Sequence, residues 1–102
     1  MKSRVTDVED TCLLCNGLAT QEHHLICGTA NRQKSEDYGL KIPICAACHN
    51  FIHQYGAATR LSKILGQAIF EGNYYKDLYY QMNEGENEAR DKYREIFGKS
   101  YL

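Results

Sequence analysis

Two identical spacings constrain this chain more than any other feature: Cys12-x-x-Cys15 and Cys45-x-x-Cys48. A thiolate is a soft, anionic ligand, and two such knuckles supply four sulfurs for a tetrahedral Zn²⁺. Residues 16–44 lie between them, a longer gap than that of a compact zinc ribbon, with room for an inserted unit. Two hidden cysteine pairs are the plain alternative, but that reading gives no reason for the shared spacing. Cys27 is left over and reads as a small buried apolar side chain. An odd total of 5 cysteines, with no apolar leader at the start, fits reduced thiols in a cytosol better than disulfides. Cys45-Ala46-Ala47-Cys48-His49 also matches the attachment sequence of a c-type haem. Haem attachment follows export, and it would leave Cys12, Cys15 and His53 without a role.

The histidines are clustered too. His23 and His24 are adjacent, whereas His49 and His53 stand four apart, so that on a helix both rings project from one face. A single histidine is usually structural. Two pairs inside or just after the cysteine frame instead suggest a second, imidazole-bound transition metal.

The remaining sequence sets the frame. A length of 102 residues fits a single domain, and no apolar run is long enough to span a bilayer. Asn16-Gly17 marks a turn after the first knuckle. Residues 19–26 and 40–44 read as short strands paired in a hairpin across a polar loop at 27–39, with Pro43 at an edge or end. Helix signals begin at Ala46. A second helix after Gly56 carries an apolar stripe of Leu61, Ile64, Leu65, Ala68 and Ile69. Asn73 can cap a third helix over 74–82, Gly85 breaks it, and a fourth over 86–97 ends at Gly98. Tyr74, Tyr75, Tyr79 and Tyr80 form an aromatic stripe that reads first as helix packing, and second as a base-stacking or homodimer face. The apolar ending, 93–102, is expected to dock against the body.

The order Cys-x-x-Cys, then His-His with a bulky apolar residue, then Pro-x-Cys-x-x-Cys-His-x-x-x-His resembles the HNH endonuclease superfamily. It is most similar to small phage- or prophage-type HNH proteins, and the resemblance runs from Cys12 to about His53. It implies an α+β fold. Its core would be a ββα-metal (His-Me finger) unit over 12–55, with a short β-hairpin stapled by a four-cysteine zinc site. A helical extension over 57–102 would follow. By the same resemblance Cys12, Cys15, Cys45 and Cys48 hold a structural Zn²⁺. His23, His49 and His53 bind a catalytic divalent metal (Mg²⁺, Mn²⁺, Ni²⁺ or Zn²⁺), and His24 is the general base. The family usually carries an asparagine about five residues before the second knuckle, where it braces the loop that positions the base. Leu40 stands there in this chain, and Asn31, Ser35 or Asp37 are candidates to replace it.

The chemistry is coherent without the name. A metal on three neutral imidazoles keeps its full charge and open positions for a phosphate oxygen. A histidine that is not metal-bound is a suitable base near neutral pH. The polyanion must meet cations, and Arg32, Lys34, Lys41, Arg60 and Lys63 are the candidates for phosphate contacts. The net charge of −1 averages a near-neutral first two thirds and an acidic remainder, so DNA affinity is expected to be modest and salt-sensitive. A homodimer or a recruiting protein would then help occupancy. These readings lead to a metal-dependent DNA endonuclease or nickase in the cytoplasm of a bacterial host. The alternative is an HNH-fold zinc module with degraded chemistry, acting as a DNA- or protein-binding adaptor.

Overall fold

The elements follow from short-range chemistry, and their packing places the histidines. A computed structural model describes residues 2–77 and 87–102. Strand β1 (Gln21–His24) pairs antiparallel with β2 (Lys41–Ile44). Helices α1 (Arg32–Asp37), α2 (Ala46–Gln54), α3 (Gly56–Asp77) and α4 (Asn87–Phe97) complete an α+β arrangement among the described residues. None of these helices is long and apolar enough to cross a membrane.

The hairpin register sets His23 opposite Ile42 and His24 opposite Lys41. Every residue of β2 is buried, because it has neighbours on more than one side. The Pro43 carbonyl accepts from the Leu13 amide beside the first knuckle at 3.1 Å. The Lys41 carbonyl accepts from the Ser3 hydroxyl at 2.6 Å. Pro43 is tolerated because a two-stranded sheet has only edges.

The segment 27–39, expected as a loop, contains α1. The helix-forming run Arg32-Gln33-Lys34 supports it, as does an i,i+4 bond from the Gln33 amide to Asp37 at 2.9 Å. Gly39 follows it with φ 68°, and a Cβ there would lie 2.6 Å from the Lys2 carbonyl, so both conformation and space exclude a side chain.

Cys45 caps α2, its sulfur accepting from the Cys48 amide at 3.5 Å. Helix α3 then runs on through Asn73, where a new helix was expected to start. Extending a formed helix is cheaper than nucleating another, and a lone Gly72 costs only about 1 kcal/mol. Phe70 and Tyr74 also hold this stretch against α4, with Tyr74 donating to Glu88 at 2.6 Å. Tyr79, Tyr80, the Tyr75 side chain and the break at Gly85 lie outside what the structure describes. Helix α4 ends at Gly98 (φ 93°) as its sequence anticipates.

The inward face of α3 differs from the expected stripe. Leu61 and Leu65 are 65% and 42% exposed, while Ser62, Gly66, Gln67 and Phe70 are buried. The cause is close approach. A Cβ on Gly66 would lie 2.6 Å from Ile26 Cδ1 and 2.9 Å from Leu25 Cβ, so only small residues fit where α3 crosses the exit of β1. The core gathers Leu25, Ile26, Leu40, Ile42, Ile44, Ile52, Phe70, Tyr93 and Phe97. Gln67 binds the ending, its carbonyl accepting from the Tyr101 amide at 2.6 Å, so the last residues dock as expected.

Candidate functional site

Two clusters of metal-ligating side chains form among the described residues. In the first, the Sγ atoms of Cys12, Cys15, Cys45 and Cys48 all lie within 4.8 Å of one another. Cys15 and Cys45 are 3.7 Å apart. A Zn–S bond of about 2.3 Å places tetrahedral sulfurs about 3.8 Å apart, so the donor set fits zinc. The first knuckle is shaped by local bonds. Cys12 donates its amide to Gly17 at 2.7 Å, and Asn16 takes a positive φ of 63°. Burial opposes ionisation of Cys12, but the amides of Cys45, Cys15 and Leu14 outweigh it and bring its thiol down to about 6. Its neighbour Cys48 is pushed up to about 12, chiefly by the Cys45 side chain. Ionisation is thus favoured at Cys12 and opposed at Cys48, and a bound metal would favour the thiolate form of its ligands.

The second cluster unites the strand with α2. One ligand nitrogen each from His23, His49 and His53 lies within 4.8 Å of the others. The Nε2 atoms of His49 and His53 are 3.0 Å apart, close to the spacing of two nitrogens sharing one cation at about 2.1 Å. Hydrogen bonds set the tautomers. The Ser62 hydroxyl spends its single proton on the Leu25 carbonyl at 2.8 Å, so at its 2.8 Å contact with His23 it accepts from Nε2–H. Nδ1 of His23 therefore keeps its lone pair. Likewise Gln21 Oε1 lies 2.6 Å from His49 Nδ1 and accepts from it, which leaves Nε2 unprotonated. Burial first, then the neighbouring histidines, lowers His23 to about 4. Burial followed by His53 also lowers His49. Neutral imidazole is the form that binds a metal.

His24 stands apart from that triad but lines the same open pocket of about 260 Å³, together with His23, His49, His53, Cys27, Arg32 and Glu22. Its Nε2 lies 3.0 Å from Glu36 Oε1. Glu36 Oε2 in turn accepts from Lys41 Nζ at 2.7 Å, and Glu22 lies 3.4 Å from the same ammonium.

The five cations of the sequence reading separate. Arg32 joins the histidine pocket. Lys34 lies on α1 and does not line it. Lys41 is buried and paired with two carboxylates, so its charge is used within the fold. Arg60 and Lys63 line a different depression with Lys99 and Tyr101. Cys27, expected to be a buried filler, is half-buried at the rim of the histidine pocket.

Three contributors escape a reading of sequence alone. Gln21 carries a weak signal, since it shares a strand face with His23 two residues on. Ser62 carries none, because its contact spans the whole distance from β1 to α3. Glu36 lies between the two candidates Ser35 and Asp37. Leu40, at the expected asparagine position, is wholly buried in the core. Of the three suggested replacements, Ser35 is the one bonded to backbone across the segment: its buried hydroxyl donates to the Ile26 carbonyl at 2.9 Å and accepts from the Ile26 amide at 3.2 Å. Asn31 makes no side-chain cap bond, and Asp37 accepts from Gln33. Comparison with protein-family models, with curated proteins and with solved structures returns no match.

Proposed function

We propose that this chain is a metal-dependent endonuclease or nickase that hydrolyses phosphodiester bonds in DNA, built on an HNH-type ββα core with a structural zinc at its four cysteines. The observation that carries the reading is the convergence of His23, His49 and His53 in one pocket with the non-ligating His24 and with Arg32. The antiparallel strands β1 and β2, with the short α1 between them, are followed by the helix that carries His49 and His53, which is compatible with the core the resemblance implies.

A divalent cation bound there supplies Lewis-acid charge toward the phosphate and the departing oxygen. The chain's own groups do the rest. Ser62 and Gln21 hold the rings of His23 and His49 with one lone pair each turned to the site. Arg32 at the pocket rim offers a planar donor pair to a phosphate oxygen. His24 takes the proton of the attacking water. The pocket is open, as a site for a duplex backbone must be.

Relaxation of supercoiled plasmid with Mg²⁺, Mn²⁺ or Ni²⁺ tests the reading. His24→Ala is expected to keep the fold and both metals while losing cleavage by about 10²-fold or more. Cleavage by that variant at the wild-type rate removes His24 as the base. A second reading, a non-catalytic DNA- or protein-binding adaptor, is favoured by Leu40 in place of the family's asparagine. Wild-type inactivity across the metal series, with binding retained, would select it.

A further inference from the structure

The hydrogen bonds around His24 assign one more residue to the site. We propose that Glu36 is a positioning residue for the general base: its carboxylate holds His24 as the Nε2–H tautomer, so that Nδ1 is the atom that takes the water proton. This rests on the reading of His24 as base and deepens it.

The proton count is settled by chemistry. A carboxylate only accepts, so the ring nitrogen 3.0 Å from Glu36 Oε1 carries the hydrogen. In neutral imidazole the other nitrogen is then an acceptor, and Nδ1 has no hydrogen-bond partner among the described residues. Glu36 is itself kept ionised. The Lys41 ammonium 2.7 Å from Oε2, followed by His24, draws its carboxyl down to about 2. Lys41 reaches it because β2 sets that lysine directly across from His24 in the hairpin register. Helix α1, where the sequence suggested only loop, delivers Glu36 to the pair. One side of α1 is pinned through Ser35 to the Ile26 backbone, just beyond β1. The carboxylate therefore does for His24 what Ser62 and Gln21 do for the metal-facing histidines.

In the reaction, the water O–H bond breaks and its proton passes to Nδ1. The water oxygen forms the new bond to phosphorus as the bond to the 3′-oxygen breaks, and that oxygen gains a proton from solvent. The imidazolium formed at His24 is stabilised by the carboxylate already bonded to Nε2–H. It then releases the proton to water. No other reactant is consumed.

The test combines ¹⁵N NMR of histidine-labelled protein with plasmid-cleavage kinetics, on the full chain loaded with zinc and Mg²⁺. Wild type should show His24 as a single Nε2–H tautomer. Glu36→Gln keeps the shape but offers an amide that can present either oxygen or N–H₂. It should give mixed tautomers at His24 and lower kcat by about 10–100-fold, with KM and metal affinity unchanged. Glu36→Asp, which retains the carboxylate, should recover part of the loss. Unchanged ¹⁵N shifts at His23, His49 and His53 check that each variant keeps its fold. An Nδ1–H tautomer in wild type, or a wild-type kcat in Glu36→Gln, overturns the assignment of Glu36. A fixed Nε2–H tautomer in a wild-type protein that cleaves no plasmid overturns instead the nuclease reading, and with it any catalytic use of the pair.

Discussion

His23 is the residue on which most of the local chemistry meets. It is 1% exposed, it donates to Ser62, and its ring stands 5.1 Å and 5.3 Å from those of His49 and His53. Burial among other imidazoles disfavours its charged form, so its folded value of about 4 lies below that of an unfolded histidine, about 6.5. Between those two pH values the unfolded chain binds a proton that the folded one refuses. Stability should therefore rise with pH across this window, and acid should remove it as pH falls from about 6.5 to about 4. Urea midpoints measured at pH 7 and pH 5 check this. The difference is expected to shrink in His23→Gln, which keeps a polar group but loses the titration, while the cysteine site contributes equally to both proteins. The ligand residues could be proposed from the sequence because adjacency and i,i+4 spacing are local properties. Their tautomers could not, since Ser62 and Gln21 reach them only in the folded chain.

At the scale of elements, α3 shows how packing overrules pattern. Its apolar residues follow a helical period, yet the buried line is Ser62, Gly66, Gln67 and Phe70. A helix stripe predicts burial only where a partner surface meets it, and here the small-residue side meets Leu25 and Ile26. Gly→Ala inside a helix ordinarily stabilises by about 1 kcal/mol. Gly66→Ala is expected to do the reverse, costing about 1–3 kcal/mol, because its methyl would overlap the β1 exit. Chemical denaturation measures the sign. On the proposed reading the same change should also weaken metal binding at the histidines, because Ser62 lies one turn earlier, while leaving the cysteine site intact. Helix α1 is the complementary case. Glycine, asparagine and charge around it suggested loop, but Ser35 and the Gln33–Asp37 bond hold a short helix that supplies Glu36.

For the whole molecule, the four cysteines bring two distant stretches of chain together at one cluster. Cys12 belongs to the same buried core as Leu40, Ile42 and Ile44, with Cys45 and Cys48 packed against it. On the proposed reading a zinc there contributes to folding directly, because the site does not exist in the unfolded chain. Removing all metal with a strong chelator is expected to abolish the cooperative thermal transition. A mild chelator should strip only the histidine-held metal and leave the transition nearly unchanged. Metal analysis beside calorimetry distinguishes the two steps, and Cys12→Ser should behave as the fully stripped protein does. The hairpin and the following helix were legible beforehand because turn residues and knuckle spacing punctuate that half. Beyond Gly56 the pattern indicated helices and the glycine stop at Gly98, but neither their continuity nor their inward face.

The sequence by itself marked out the cysteines and histidines that gather into two clusters, because donor type and short-range spacing are written along the chain. It also indicated the two strands and the helix after them, though not the short α1 between the strands, and it named the cations available. Tertiary structure decided which of those cations meet the histidines: Arg32 does, Lys41 is spent on Glu36 and Glu22, and Arg60 and Lys63 gather elsewhere. It also decided where the proton sits on His23, His49 and His24, through Ser62, Gln21 and Glu36. The physical reason is separation along the chain. A hydrogen bond that closes across dozens of residues depends on how elements cross, and the crossing of α3 over β1 is fixed by the absence of a side chain at Gly66, a feature no hydrophobic period announces.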